Sequence, residues 1–155
     1  MTAEKRLQDL GLVLPTPPTA VANYVPAVKS GHLLIISGQL PFGADGVLSD
    51  RHKGKLGRDV SHEAGQEAAR LCAINILAQA RAALGSLNDV KRCVKIGGFV
   101  NASPGFTAIP AVINGASDLM VAVFGDAGRH ARFAVGVAEL PLDAAVEIEA
   151  MFEVT

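Results

Sequence analysis

The stretch at residues 131–150, ARFAVGVAELPLDAAVEIEA, decides how this chain is read. Two runs of alternating apolar residues flank Leu140-Pro141-Leu142-Asp143, the pattern of two strands joined by a turn. Arg132 and Glu147 each interrupt an otherwise apolar run, and a guanidinium or carboxylate is costly to bury unless paired or hydrogen-bonded. If the turn centres on Pro141-Leu142, antiparallel pairing sets Gly136 beside Glu147 and Ala134 beside Glu149. Strand alternation then puts Phe133, Val135, Val137, Val146, Ile148, Ala150 and Phe152 on one apolar face, to be covered by helices. Arg132, Ala134, Gly136, Ala138, Glu147, Glu149 and Met151 share the other face. In this register Arg132 and Glu147 are offset by about four residues, roughly 13 Å, so they flank a space instead of pairing. Glu149 stands nearer to Arg132, and parity does not choose between the two glutamates. The small residues on this face admit a ligand or another backbone, with Arg132 as an anion anchor. An ordinary Arg–Glu pair on a packed interface is the plainer reading.

Upstream, the patterns alternate between helix and strand. Residues 3–12 form a short helix with Leu7, Leu10 and Leu12 on its apolar side, and Pro15, Pro17 and Pro18 forbid its continuation. Residues 24–28 and 32–37 flank Lys29-Ser30-Gly31 as a first hairpin. A polar loop, placed at the surface, runs from Phe42 to Asp59. Ser61 is the N-cap of a long helix whose apolar positions recur as far as Gly85. A strand covers residues 90–101, where Gly97-Gly98 marks a bulge or a close backbone approach. A second helix starts near Pro110 and ends at Gly125, burying Ile113, Leu119, Met120 and Phe124. His130 shares the parity of Arg132; a place at the start of the next strand is favoured over one bordering the cleft. The order β-β-α-β-α-β-β gives an α+β domain with two helices on one face of an antiparallel or mixed sheet. Residues 1–20 form an N-terminal extension and residues 21–155 the domain.

Bulk properties narrow the function. The chain has 155 residues, half of them hydrophobic, yet only 5% aromatic, and its mean hydropathy is +0.33. Such aliphatic content leaves apolar surface for a subunit interface to cover; an alanine-rich monomeric core is the alternative. The net charge of −1 provides no field to attract nucleic acid or an anionic membrane. The basic cluster Arg51-His52-Lys53-Gly54-Lys55 reads as a solvated loop. Cys72 and Cys93 stand far apart without CxxC spacing, as buried thiols of a reducing compartment. No signal-peptide pattern opens the chain, and no apolar run approaches a membrane-spanning length, so a cytoplasmic location is expected. The four histidines show no metal-ligand spacing, and no metal or cofactor is expected.

With these residues in view, the chain resembles the RidA family, also called YjgF or L-PSP. The likeness rests on Asn23-Tyr24-Val25-Pro26, on Ser37-Gly38-Gln39-Leu40-Pro41, on Leu87-Asn88-Asp89-Val90, and on Arg132, Leu140-Pro141-Leu142-Asp143 and Glu147-Ile148-Glu149-Ala150 in order. It covers about Val21 to the end. The resemblance implies a chorismate-mutase-like fold assembled as a homotrimer, with clefts between adjacent subunits. It implies hydrolysis of enamines and imines such as 2-aminoacrylate to 2-oxo acids and ammonia. By position, Arg132 matches the family's carboxylate-binding arginine and Glu147 its water-activating glutamate. Tyr24, Ser37, Gly38, Asn114 and Ala134 match positions that line the pocket. The chain departs from the family pattern at Phe133, where a small hydroxyl or thiol residue is common, and at Ala134, where Cys is frequent. A non-catalytic trimeric binder of small carboxylates is the alternative, and an endoribonuclease a more distant one.

Overall fold

The computed structural model describes residues 1–17, 19 and 21–155. Pro18, assigned above to the break after the first helix, and Ala20, at the expected boundary of the extension, lie outside the described residues. The elements are α1 (Ala3–Asp9), β1 (Ala27–Ser30), β2 (Leu33–Gln39), α2 (His62–Leu84), β3 (Val90–Asn101), α3 (Ile109–Phe124), β4 (Ala131–Val137) and β5 (Val146–Val154). The expected order is present, preceded by α1.

Local chemistry explains the helix ends. Ser61 Oγ accepts from Ala64 N at 3.0 Å, satisfying one of the unpaired donors of the first turn of α2. Gly85 closes α2 with a left-handed φ of 87°, a conformation that favours glycine. α1 is clamped by its own acid: Glu4 receives Arg81 Nη2 at 3.1 Å and Leu87 N at 2.9 Å. Leu7 is buried beneath it, whereas Leu10, expected on the same side, is exposed. The segment from Ile109 to Gly128 is long and apolar enough to pass for a membrane span by length and composition. Its Val112, Ile113, Leu119, Met120 and Val123 are nevertheless committed to the core.

The sheet has five strands in the order β1-β2-β5-β3-β4. All pairings are antiparallel except β3–β4, which is parallel. The last two strands are therefore not a hairpin. β3, α3 and β4 form a crossover unit, and a helical crossover returns the chain parallel to the strand it left. After β4 the chain turns through Pro141–Asp143, with positive φ at Leu142 and Asp143, and β5 enters between β2 and β3. Central placement suits β5, because Val146, Ile148, Phe152 and Val154 are fully buried beneath the helices.

This topology exchanges the faces expected for β4. Arg132 aligns with Ile96, and Ile96 with Ala150, both on the helix-covered side. Phe133 aligns with Gly97, and Gly97 with Glu149, on the open side. Arg132, Ala134 and Gly136 thus lie toward the helices, and Phe133, Val135 and Val137 away from them. A β-carbon on Gly97 would strike the Phe133 ring, so the expected close approach at Gly97-Gly98 is real: that glycine makes room for the aromatic. Phe133 also meets Phe99 edge-on, with ring centroids 5.3 Å apart.

The segment between Phe42 and Asp59 is not merely a surface loop. Leu48, His52 and Leu56 are buried, and Lys53 bridges to Ala144 while Leu56 bridges to Ala102. The basic cluster inside it is tied down, not solvated. Arg51 Nε and His52 Nε2 both bind Glu67, at 2.7 and 3.2 Å, and hold that carboxyl down at about 2. Lys55 Nζ donates to Asn101 Oδ1 at 2.7 Å and to the Ala138 carbonyl. Cys72 and Cys93 are buried, unpaired thiols, and burial pushes both upward, Cys93 to about 12.

Candidate active site

The predicted site residues fall into two groups within one chain. Tyr24, Ser37, Gly38 and Glu147 line a single cleft of about 220 Å³. The cleft opens where β2 bulges away from β5: the three steps from Ile36 to Gln39 on β2 span the two from Ala150 to Ile148 on β5. Glu147 emerges from β5 between buried Val146 and Ile148, so alternation turns it away from the helices. Its carboxylate lies directly over Gly38, where a β-carbon would stand 2.6 Å from Glu147 Oε2. A side chain there would push the Glu147 carboxylate from its place. Ser37 anchors the opposite rim, its Oγ donating to Val25 O at 2.7 Å and its N–H to Pro26 O at 2.9 Å. This holds the segment carrying Tyr24, which is 56% exposed and is no core aromatic.

Glu147 is partly buried yet accepts no hydrogen bond and forms no ion pair among the described residues. Burial, with a smaller contribution from Glu149, pushes its carboxyl above the ordinary 4.5. A partly desolvated carboxylate beside open space is a competent proton acceptor.

Arg132 stands elsewhere. Its Nη1 donates to Asn114 Oδ1 at 2.8 Å and to Ser117 Oγ at 3.1 Å, and among the described residues it meets no carboxylate. Ser117 Oγ lies 2.9 Å from His130 Nε2, and His130 Nδ1 lies 2.7 Å from Gly128 O. The carbonyl calls for a proton on Nδ1, so Nε2 accepts from Ser117 and the serine oxygen accepts from Arg132. Burial and then Arg132, opposed in part by the Gly128 hydrogen bond, hold His130 below 6.5 and favour its neutral form. His130 is therefore part of the arginine's support and not a passive strand start. Asn114 joins this group as expected. Ala134 lies on the helix side, packed against the core, and not on the open face.

Arg132 and Glu147 do not meet. β3 separates their strands, and their aligned positions on it are Ile96 and Phe99, which puts them about 10 Å apart across the sheet and about 10 Å along it. They also occupy opposite faces. Phe133, the departure beside the arginine, points away from Arg132 and does not crowd it. Among the described residues no three His, Cys, Asp or Glu side chains cluster to hold a metal ion. Sequence reasoning missed Ser117, and it missed Gln39, Phe42, Gln79 and Pro141 in the cleft. Gln39 could have been found, because it sits inside the Ser37-to-Pro41 motif; Gln79 and Ser117 arrive by helix packing and leave no local signal.

A family model described as YjgF/chorismate mutase-like, putative endoribonuclease, matches residues 4–153. The chain belongs to the YjgF/RidA family. Protein TCP17 of Trypanosoma cruzi is 51% identical over 148 residues, covering 95% of this chain and 91% of that protein. The crystal structure of Atu1372 from Agrobacterium tumefaciens, a protein of unknown function, superposes with a TM-score of 0.90 at 49% identity, covering 99% of this chain and 94% of that one. RidA from the Antarctic bacterium Psychrobacter sp. PAMC 21119 superposes with a TM-score of 0.61 at 33% identity, covering 90% of this chain and 94% of that one. The YjgF/RidA assignment agrees with the α+β chorismate-mutase-like fold and with the motifs that carry Tyr24, Ser37, Gly38, Arg132 and Glu147.

Proposed function

We propose that this YjgF/RidA protein hydrolyses reactive 2-imino acids, of the 2-aminoacrylate type, to 2-oxo acids and ammonia. The observation that carries this reading is the Glu147 carboxylate, partly buried in a cleft, raised above its ordinary range and without a described partner. In this reading Glu147 takes a proton from water as the oxygen attacks the imine carbon. The proton held by Glu147 passes to the nitrogen, the added hydroxyl gives up its own proton as the carbonyl forms, and the carbon–nitrogen bond breaks to release ammonia, so both protons of the water end on nitrogen. A 2-imino carboxylate is already electrophilic, so no nucleophilic side chain is required. Buried Cys72 and Cys93, with thiols pushed upward, are unsuited to attack.

The substrate carboxylate needs a cation, and Arg132 is held by neutral partners with its guanidinium otherwise uncommitted. Because Arg132 and Glu147 of one chain occupy opposite faces, the reading places Arg132 of a neighbouring copy over the Glu147 cleft, in a homotrimer. The open sheet face supports such packing, with Ile35 and Val135 respectively 40% and 42% exposed. The endoribonuclease of the family description is the weaker reading here: an unpaired carboxylate and a net charge of −1 repel a phosphate backbone.

Two inactive variants, Arg132→Ala and Glu147→Gln, test the composite site. Each alone is expected to lose 2-aminoacrylate hydrolysis. Co-refolded in equal amounts, they should recover about a quarter of the wild-type rate, the statistical share of interfaces holding both native residues. No recovery, or wild-type activity in either single variant, sinks the proposal.

A further inference from the structure

Gln39 and Phe42 line the Glu147 cleft and also line a second chamber of about 310 Å³, walled by Pro15 and Thr16 from the segment following α1. Asn75 of α2 and Asp45 of the turn after Phe42 complete that chamber. Gln39 and Asn75 are only 9% and 7% exposed, and their amides are oriented by backbone carbonyls. Gln39 Nε2 donates to Ser37 O at 2.9 Å, and Asn75 Nδ2 donates to Leu40 O and Phe42 O, each at 3.0 Å. A carbonyl can face only the nitrogen end of an amide, so Gln39 Oε1 and Asn75 Oδ1 point elsewhere. Neither oxygen accepts from a described residue. Among the described residues the sealed side-chain polar atoms left without a partner are His52 Nδ1 and Arg81 Nε; the two amide oxygens therefore reach open space. Asp45 adds a carboxylate, with one oxygen held by Val47 N at 3.0 Å, and among the described residues no lysine or arginine lines the chamber.

A wall of acceptors selects a donor, and a carboxylate among them favours a cation. The Phe42 ring at the junction tolerates a cation against its face. We infer that the substrate side chain passes Phe42 into this chamber and ends in a cationic, multiply donating group, a guanidinium-bearing 2-imino acid being the fitting class. The inference rests on the reading of Glu147 as the water-activating base, and it adds to that reading a substrate longer than 2-aminoacrylate.

An L-amino-acid oxidase with oxygen supplies the imines of arginine and norleucine in situ, and the full-length protein's acceleration of 2-oxo acid release reads turnover. The norleucine side chain is apolar and two atoms shorter, so its imine lacks the terminal donors and the reach to the chamber, and Asp45→Lys separates the charge from the reach. The arginine imine should show kcat/KM about tenfold above the norleucine imine, the worth of a charge-assisted hydrogen bond. Asn75→Leu and Asp45→Lys should each cut that ratio about tenfold. Asn75→Leu removes the tie to Leu40 and Phe42 and can fail to fold, whereas Asp45→Lys changes one exposed residue and leaves the test intact. Equal kcat/KM for both imines, or a ratio unmoved by Asp45→Lys, overturns the inference. Turnover of 2-aminoacrylate with neither longer imine accepted overturns it while sparing the imine-hydrolase reading. Turnover of none of the three ends both.

Discussion

Glu147 lies over the backbone of Gly38 with its charge partly removed from water, so its ionised form is costly in the fold. Its folded pKa exceeds the unfolded 4.5, and between those values the native state binds more protons than the unfolded one. Stability therefore falls as pH rises through that window, and the penalty persists at neutral pH. Glu147→Gln is expected to raise Tm at pH 7 by about 2 °C, a gain that vanishes below pH 4.5 in a thermal-melt series. The same change should lower kcat by roughly 10²–10⁴-fold if Glu147 is the base. His130 carries the opposite sign of pH dependence. Its folded pKa lies below the unfolded 6.5, so the unfolded state binds more protons and stability drops as pH falls from 6.5 toward the folded value. His130→Gln should flatten that slope in urea midpoints compared at pH 7 and 5.5. An unchanged slope would separate His130 from the Ser117–Arg132 chain.

Between elements, the cleft depends on how the β4–β5 connection is tethered. Asn101, fully buried at the end of β3, donates through Nδ2 to Asp143 Oδ1 and Ala144 O, both at 3.2 Å, and accepts from Lys55 at 2.7 Å. This single amide ties the 50–60 loop to the turn that brings Pro141 to the cleft. Asn101→Ala leaves buried groups unpaired and is expected to cost about 1–3 kcal/mol. The urea midpoint should fall with an unchanged m-value, and KM should rise more than kcat falls. A KM equal to wild type would show that Pro141 keeps its place without the tether.

At the scale of the whole molecule, one sheet face is covered by α2 and α3 and the other is open, bearing exposed Val28, Leu33, Ile35 and Val135. Apolar area of this kind calls for cover, and in the proposed assembly the neighbouring copy that covers it also supplies the guanidinium. Ile35→Asp places a charge in that face without touching the core. It is expected to reduce the sedimenting mass to that of one chain and to abolish imine hydrolysis, while far-ultraviolet circular dichroism stays unchanged. An assembled, active Ile35→Asp protein would remove the open face from the interface.

Much of this molecule is legible along the chain because helix and strand signals are local. Ser61 and Gly85 bracket α2, the stripe of Ile113, Leu119, Met120 and Phe124 marks α3, and the alternation in β5 selects its buried side, since a side chain's direction depends on its own backbone period. Arg132 and Glu147 stand out locally as charges inside apolar runs, whereas Tyr24, Ser37 and Gly38 are named through the resemblance that their motifs carry. Which strand lies beside which is not local: β4 and β5 adjoin in sequence, yet β5 inserts between β2 and β3, because its alternate residues form a continuously buried face that suits the centre and α3 returns the chain parallel to β3. That insertion moves Arg132 to the helix side and leaves Glu147 over Gly38 on the other. The patterns in residues 131–150 therefore determine the strands and their charged residues, and only the packing of helices on the sheet decides that one chain holds those charges apart.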